Sequence, residues 1–312
     1  MPDLKDCKIV FLGTPAFSVA VLDKLVSEGC KIVGVVTAPD RPAGRGMMLT
    51  QSAVKKFALE KKLHILQPEK LKDPAFIEAL KSLHADVQVV VAFRMLPEIV
   101  WNMPPLGTIN LHASLLPNYR GAAPINWAII NGEKETGITT FKLQHAIDTG
   151  DILMKENISI GEEETAGSLH DRMMIKGADL VYKTLLAYCS GEIVPQPQAD
   201  FAKKEDLKQA PKLFSSTCEI DWLQKASRVH DLIRGLSPFP GAFTKLKDKI
   251  LKVYSSSYQI EDHQQTPGTV ESDGKQYLRY ATMDGWVYMK EVQLEGKKRM
   301  DIVSFLKGYR FN

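Results

Sequence analysis

The order strand, helix, strand near the start of the chain constrains the fold more than any other feature of this sequence. Residues 8–12 (KIVFL) are a continuous apolar run that ends at Gly13, residues 17–28 have a helical pattern, and residues 32–37 are a second apolar run. Two buried strands joined by a helix predict a parallel sheet. The turn GTPAFS lacks the second and third glycines of the G-x-G-x-x-G motif, so it does not predict an NAD site.

Strand-like runs and helical patterns continue to alternate up to about residue 190. The further runs predicted as strands are 64–66, 86–92, 109–112, 137–143 and 151–158, and the patterns predicted as helices are 51–62, 74–83, 123–131 and 165–187. We therefore predict an α/β fold with a Rossmann-like parallel sheet, which forms a catalytic domain over residues 1–190. The Pro-rich polar stretch 191–208 predicts a linker. Short alternating runs separated by turn residues then predict a small OB-like antiparallel β-barrel over residues 209–312.

Residues 38–49 (APDRPAGRGMML) follow the second predicted strand. This stretch contains two prolines, two glycines and two arginines, so we predict that it has no regular structure. A long basic loop beside the edge of an α/β sheet is typical of a mobile functional loop, and the alternative is a plain surface crossover.

Asn110 and His112 are the residues that most suggest chemistry. They alternate with Ile109 and Leu111, so in a strand both polar side chains lie on one face, about 7 Å apart, near the end where open α/β sheets bind ligands. Asp148 lies on a tight loop after another strand, where a carboxylate can orient or deprotonate a histidine. An amide, an imidazole and a carboxylate together suit acyl-type transfer through an oxyanion. A buried polar pair that is hydrogen-bonded only for structural reasons is the alternative.

The run HASLLPNYRGAAPINWAI has Asn110 two residues before its histidine and DTGD further along the chain. Together these residues resemble the formyltetrahydrofolate-dependent formyltransferases. The segments IVFLGTPAFS, APDRPAGRG, IDW and PFPGAFT extend this resemblance over the whole length. The early PDRPAGRG loop and the C-terminal region narrow it to the branch of the family that formylates methionyl initiator tRNA. The resemblance implies 10-formyltetrahydrofolate as co-substrate, with no metal and no NAD. It also implies that Asn110 and His112 stabilise the oxyanion and that Asp148 orients His112 and assists proton transfer.

The resemblance also implies two sets of binding residues. Those expected to bind the folate are Phe93, Arg94, Leu96, Ser114, Leu115, Leu116 and Pro117. Those expected to bind the tRNA are Arg41, Arg45, Lys245, Lys247, Lys297, Lys298 and Arg299. Any single lysine among these is more often part of a solvated surface than of an interface.

Charge and cysteine content fit this interpretation without requiring it. The net charge is +3, and residues 209–312 contain 16 basic and 12 acidic residues, so the excess of +4 lies in this part of the chain and weakly favours a polyanionic partner. The four cysteines are widely spaced without a CxxC pair, which predicts reduced thiols in a cytoplasmic protein and no zinc site. No run of about 20 apolar residues predicts a membrane span. We expect a monomer.

Three other functions stay open at this point. A formyltransferase that acts on an amino sugar or a purine ribonucleotide would have the same Asn110, His112 and Asp148, and a formyltetrahydrofolate hydrolase would use them on water. A non-catalytic RNA-binding protein with a degenerate α/β domain is the alternative from a different class.

Overall fold

The structure is a computed structural model that describes residues 4, 6–43, 48–146, 148–201 and 207–309. Its strands, in chain order, are β1 (Lys8–Gly13), β2 (Lys31–Val36), β3 (Arg41–Ala43), β4 (Met48–Thr50), β5 (Ile65–Leu66), β6 (Val87–Val91), β7 (Thr108–His112), β8 (Arg120–Gly121), β9 (Glu135–Lys142), β10 (Ile152–Ser159), β11 (Gln209–Ala210), β12 (Ala242–Leu246), β13 (Lys249–Ile260), β14 (Val270–Ser272), β15 (Leu278–Ala281), β16 (Gly285–Leu294) and β17 (Met300–Asp301). Its helices are α1 (Ala16–Ser27), α2 (Ala53–Glu60), α3 (Pro74–Ser82), α4 (Glu98–Trp101), α5 (Pro124–Ile130), α6 (Ala166–Cys189), α7 (Ser215–Cys218), α8 (Ala226–Gly235) and α9 (Ile302–Gly308).

Packing divides the chain into two compact units. The first contains Met1–Arg120, Gly137–Ile158 and Asp171–Lys208, and the second contains Gly121–Thr136, Ser159–His170 and Gln209–Asn312. The units are thus not consecutive segments, and they divide the chain differently from the predicted domains 1–190 and 209–312. Those limits stay a prediction. None of the helices in the described ranges is long and apolar enough to cross a bilayer.

In the first unit, seven strands of the described chain pair in the order β10-β9-β7-β6-β1-β2-β5. The strands from β7 to β5 are parallel, and β9 runs antiparallel to β7. The predicted α/β fold with a parallel sheet is therefore confirmed, and the antiparallel β9 makes the sheet mixed. β1 lies inside the sheet, between β6 and β2, and both of its faces are covered, because Ile9, Val10, Phe11 and Leu12 are wholly buried.

Local capping explains where several helices begin. The Asp73 carboxylate accepts the backbone N–H of Ala75 at 2.8 Å, directly before Pro74 at the first position of α3. At the start of α6, the hydroxyls of Thr165 and Ser168 each accept the other residue's backbone N–H, at 3.2 and 3.0 Å.

The prediction that residues 38–49 contain no regular structure is wrong. β3 and β4 form a short antiparallel ribbon there, in which Arg41 pairs with Thr50 and Pro42 with Leu49. The prolines and glycines of this stretch indicate turns, but each strand of a two-stranded ribbon has an unpaired edge, where a proline is tolerated. Arg45 lies outside the described residues.

In the second unit, six of the described strands form an antiparallel sheet in the order β12-β13-β16-β15-β14, with β17 also paired to β16. This curled sheet is a half-barrel, which confirms the predicted fold class of the C-terminal part. The buried face holds Leu251, Val253, Val287 and Met289, and α8 packs on the same core.

Candidate active site

Asn110 and His112 lie on β7, whose neighbours are β6 and β9. The pairing aligns Asn110 with Val90 of β6 and His112 with Thr139 of β9. The carboxyl ends of β6 and β7 therefore meet at one edge of the sheet, as the sequence predicts. The side-chain amide of Asn110 is partly exposed and makes no hydrogen bond with any residue in the described part of the chain.

His112 is held by a backbone carbonyl that the sequence does not point to. The His112 side chain is almost wholly buried, and its Nε2 lies 2.9 Å from the carbonyl oxygen of Tyr119. A carbonyl oxygen accepts only, so Nε2 carries the hydrogen in this bond. Nδ1 is therefore the nitrogen left to gain or lose a proton, and it lies 3.8 Å from Oδ2 of Asp148.

The loop that carries Asp148 is tightly packed. Asp148 has a φ of +53°, in the left-handed region, and its side chain is 13% exposed. Two residues on, a Cβ at Gly150 would lie 1.8 Å from the carbonyl oxygen of Lys142, so only glycine fits there. The backbone N–H of Lys142 donates to the carbonyl of Asp151 at 2.9 Å, which closes the loop. The structure thus brings the three predicted catalytic side chains to one end of the sheet.

The Asp148 loop is also bound by a residue that the sequence does not indicate. The side-chain Nε2 of Gln198 donates to the carbonyl oxygens of Asp148 and Gly150, at 2.8 and 2.7 Å. Gln198 lies in the Pro-rich polar stretch predicted as a linker, and nothing in its sequence neighbourhood indicates a contact 50 residues away.

The segment after β7 has its polar groups turned inward. Ser114 donates from its hydroxyl to the carbonyl of Asn118 at 2.6 Å, and Thr139 donates to the carbonyl of Ser114 at 2.7 Å. Leu116 is wholly buried in a cluster with Phe141. The peptide bond from Leu116 to the buried Pro117 is cis. The side chains of Ser114 and Leu116 therefore shape this loop from within, whereas Leu115 is half-buried.

The second predicted folate segment follows β6. Phe93 and Leu96 are half-buried against the core of the first unit. Arg94 donates from Nη1 to the carbonyl of Glu69 at 2.7 Å and from Nη2 to the carbonyl of Pro68. Burial lowers the pKa of the Arg94 guanidinium, and so does the nearby positive charge of Arg41. The guanidinium of Arg94 is thus committed to backbone carbonyls.

The basic residues predicted in the C-terminal part lie in two turns at one end of the half-barrel. Lys245 and Lys247 are exposed in and after β12, and Lys297 and Lys298 are exposed in the turn after β16. The end of β16 pairs with the start of β13, which directly follows the first turn, so the two turns are neighbours.

Arg299 is paired with an acidic side chain of the same sheet. Its guanidinium donates to both carboxylate oxygens of Glu291, at 2.6 and 2.5 Å, and lies 4.2 Å from the ring centre of Tyr254. Arg41 is exposed on the β3–β4 ribbon of the first unit.

Comparison with known proteins gives matches over nearly the whole chain. The family model described as formyl transferase matches residues 7–185, and the model described as formyl transferase, C-terminal domain, matches residues 212–310. The chain is 50% identical to methionyl-tRNA formyltransferase of Bacteroides thetaiotaomicron, over 99% of this chain and 97% of that protein. It is 51% identical to methionyl-tRNA formyltransferase of Phocaeicola vulgatus, over 98% and 97%.

A solved structure has a similar fold at much lower identity. WlaRD, a sugar 3N-formyl transferase whose structure was determined in the presence of dTDP and 5-N-formyl-THF, gives a TM-score of 0.69 at 18% identity. The match covers 94% of this chain and 99% of WlaRD. At this identity the likeness concerns the fold alone.

Proposed function

We propose a formyl transfer reaction for this chain, which belongs to the formyl transferase family and there to the methionyl-tRNA formyltransferases. It transfers a formyl group from formyl-folate to the α-amino group of methionyl-tRNA. The donor is 10-formyltetrahydrofolate, and the acceptor is the initiator tRNA. The observation that carries the proposal is the arrangement of Asn110, His112 and Asp148 at one end of the sheet in a chain of this family.

In the proposed reaction, the α-nitrogen of the methionyl group attacks the formyl carbon and forms a new C–N bond. The carbonyl oxygen becomes an oxyanion in the tetrahedral intermediate. The bond from the formyl carbon to N10 of the folate then breaks, and N10 receives the proton that the attacking nitrogen loses. Atoms and charge balance without any further reactant.

Each of the three side chains has a separate part in this scheme. The amide of Asn110 donates to the oxyanion, since it is partly exposed and unused by the described residues. His112 acts through Nδ1, because Nε2–H is engaged with the carbonyl of Tyr119. In its protonated form Nδ1–H also donates to the oxyanion, and Asp148 at 3.8 Å supplies the counter-charge and helps to move the proton.

We assign the folate to the segments after β6 and β7. Phe93, Leu96 and Leu115 are half-buried and offer apolar contacts, whereas Ser114, Leu116 and Pro117 fix the loop, so its exposed contribution is the backbone. Arg94 holds the other segment in shape through its bonds to two carbonyls.

We assign the tRNA to two groups of cations. The first is the exposed Arg41 together with Arg45, in the sequence between β2 and α2. The second is the exposed lysines of the two neighbouring turns, Lys245, Lys247, Lys297 and Lys298. Arg299 contributes less charge than an unpaired guanidinium would, because it is paired with Glu291. Residues 1–190 would act as the catalytic domain, 191–208 as a linker and 209–312 as the tRNA-binding domain. The protein would work as a monomer in the cytoplasm, where aminoacylated tRNA is made and used.

The test is formyl transfer from 10-formyltetrahydrofolate to methionyl initiator tRNA, with methionyl elongator tRNA and free methionine assayed in parallel. Selective transfer to the initiator is expected. Asn110→Ala and His112→Ala should each lower kcat about 10²–10³-fold, the range for loss of one oxyanion donor. Asn102→Ala is the matched control, because Asn102 is an exposed asparagine beyond α4.

Two outcomes would change the proposal in different ways. If the donor is consumed without a tRNA product, the acceptor is wrong, and amino sugars or water would be tested next. If Asp148→Asn retains near-normal kcat at saturating substrates, Asp148 has no part in the chemistry.

A further inference from the structure

Gln198 makes four side-chain hydrogen bonds near the proposed active site. It is 4% exposed and lies in a 3-10 turn (Gln198–Asp200) after α6. Its Nε2 donates to the carbonyl oxygens of Asp148 and Gly150, and its Oε1 accepts Nε–H and Nη2–H of Arg120, at 3.0 and 2.6 Å. A side-chain amide has two N–H groups and two lone pairs, and all four are engaged here.

These bonds connect the Asp148 loop to Arg120 at the start of β8 in the same unit. The amide holds the carbonyls on either side of Thr149, so it fixes the path of the backbone from which the Asp148 side chain projects. Burial lowers the pKa of the Arg120 guanidinium and the charge of Asp148 opposes this effect, which places the guanidinium within electrostatic reach of the carboxylate. Gln198 therefore sets the position of Asp148 through the backbone of its loop.

We propose that Gln198 is a positioning residue for the formyl transfer, which acts by fixing the Asp148 loop so that the carboxylate stays within 3.8 Å of His112 Nδ1. The proposal rests on the proposed catalytic role of Asp148. It gives a function within the reaction to a segment whose sequence indicates only a linker between two domains.

Reaction rates are sensitive to such positioning. A displacement of about 1 Å in a reacting constellation can lower a rate about 10²-fold. Gln198→Met keeps the length of the side chain and removes all four hydrogen bonds. We expect this variant to lower kcat about 10- to 100-fold, while KM for the tRNA changes less than about 2-fold, because no substrate contact is removed.

The matched control is Gln196→Met. Gln196 is exposed two residues earlier, and its two hydrogen bonds to Ile152 run through the backbone, at 2.7 and 2.9 Å, so the substitution leaves them in place. This variant should have wild-type kcat. Gln198→Glu is the third variant. It keeps the acceptor for Arg120 but turns an oxygen toward the carbonyls of Asp148 and Gly150, so it should lose activity as Gln198→Met does.

A double-mutant cycle separates positioning of Asp148 from a general loss of structure. If Gln198 acts through Asp148, then Gln198→Met should lower kcat less than about 3-fold in an Asp148→Asn background. In an Asn110→Ala background the full 10- to 100-fold loss should persist. Thermal unfolding of each variant confirms that the compared proteins are folded.

The outcomes distinguish this inference from the proposed function. If Asp148→Asn lowers kcat but Gln198→Met has wild-type kcat, or lowers it equally in both backgrounds, the positioning role is wrong and the function stands. Full activity of Gln198→Glu would also overturn it, because the bonds to the two carbonyls would then be dispensable. If Asp148→Asn has normal kcat, the catalytic assignment itself fails.

Discussion

Gly150→Ala is the substitution that most directly tests the packing of the Asp148 loop. An alanine Cβ at this position would lie 1.8 Å from the carbonyl oxygen of Lys142 and 3.0 Å from Cδ2 of Phe141. Real Cβ atoms essentially never come within 3.0 Å of such a neighbour, so a gap of at least 3.0 − 1.8 = 1.2 Å must open. The oxygen belongs to the backbone of β9 and Phe141 is wholly buried, so the loop has to move instead.

This displacement is of the size that abolishes efficient catalysis without unfolding the protein. A shift of about 1 Å at Asp148 should lower kcat about 10²-fold. Overpacking at a buried position should also lower the free energy of unfolding by about 1–3 kcal/mol. Steady-state formylation of methionyl initiator tRNA gives kcat and KM, and urea unfolding gives the stability.

Gly308→Ala is the control for the glycine substitution. A Cβ on Gly308 at the end of α9 would meet nothing within 4 Å, so this variant should keep wild-type kcat. A Gly150→Ala enzyme within about 3-fold of wild-type kcat, with unchanged stability, would refute the reasoning. It would mean that β9 yields to the added methyl group, or that the position of this loop does not limit the reaction.

Other consequences follow from burial and pairing. Leu116→Ala should lower the free energy of unfolding by about 2–5 kcal/mol in urea titrations, since Leu116 is wholly buried, and a change below about 1 kcal/mol would contradict its role in the core. Burial, and next the charge of Glu28, raise the pKa of Cys30 to about 11, so at pH 8 a thiol reagent should label Cys30 about 100-fold more slowly in the native protein than in the unfolded one. The raised pKa of Cys30 contributes fully to the free energy of unfolding below about pH 9, and this contribution is lost as the pH rises through 11. Equal labelling rates in the native and the unfolded protein would show that the pKa of Cys30 is not raised by folding. Lys298→Ala should reduce the salt slope of tRNA binding by about 1, and Arg299→Ala by less than half of that, because Arg299 is paired with Glu291; equal slopes would contradict this difference.

The parts of the fold that the sequence predicts are those set by local patterns. Asp73 before a proline marks the start of α3, and the alternation around Asn110 and His112 marks both a strand and the shared face of the two polar side chains. Each signal depends on neighbours within a few residues. Because the carboxyl ends of parallel strands meet at one edge, these local patterns are enough to predict where the active site lies.

The parts that the sequence does not predict depend on contacts between distant residues or on the backbone. The carbonyl of Tyr119 holds His112, and a carbonyl is present in every residue, so no residue type signals this role. Leu116 carries no sign of whether it faces a ligand or the core. Arg299 looks like a free cation in a basic run, but its partner Glu291 lies on the neighbouring strand and becomes visible only when β16 and β17 are paired.

The Asp148 loop is held from two sides, and this has a consequence for combined substitutions. Gly150 rests against the carbonyl of Lys142 on β9, while Gln198 binds the carbonyls of Asp148 and Gly150. Either substitution alone, Gly150→Ala or Gln198→Met, displaces the same carboxylate from His112. Once one substitution has moved the Asp148 loop, the contact at the other residue no longer holds the carboxylate near His112. The double variant should therefore have a kcat within about 3-fold of the worse single variant, whereas independent effects would multiply to about 10³- to 10⁴-fold. A multiplicative loss in the steady-state assay would show that the two residues do not act on one displacement, and that Gln198 serves the reaction by some route other than Asp148.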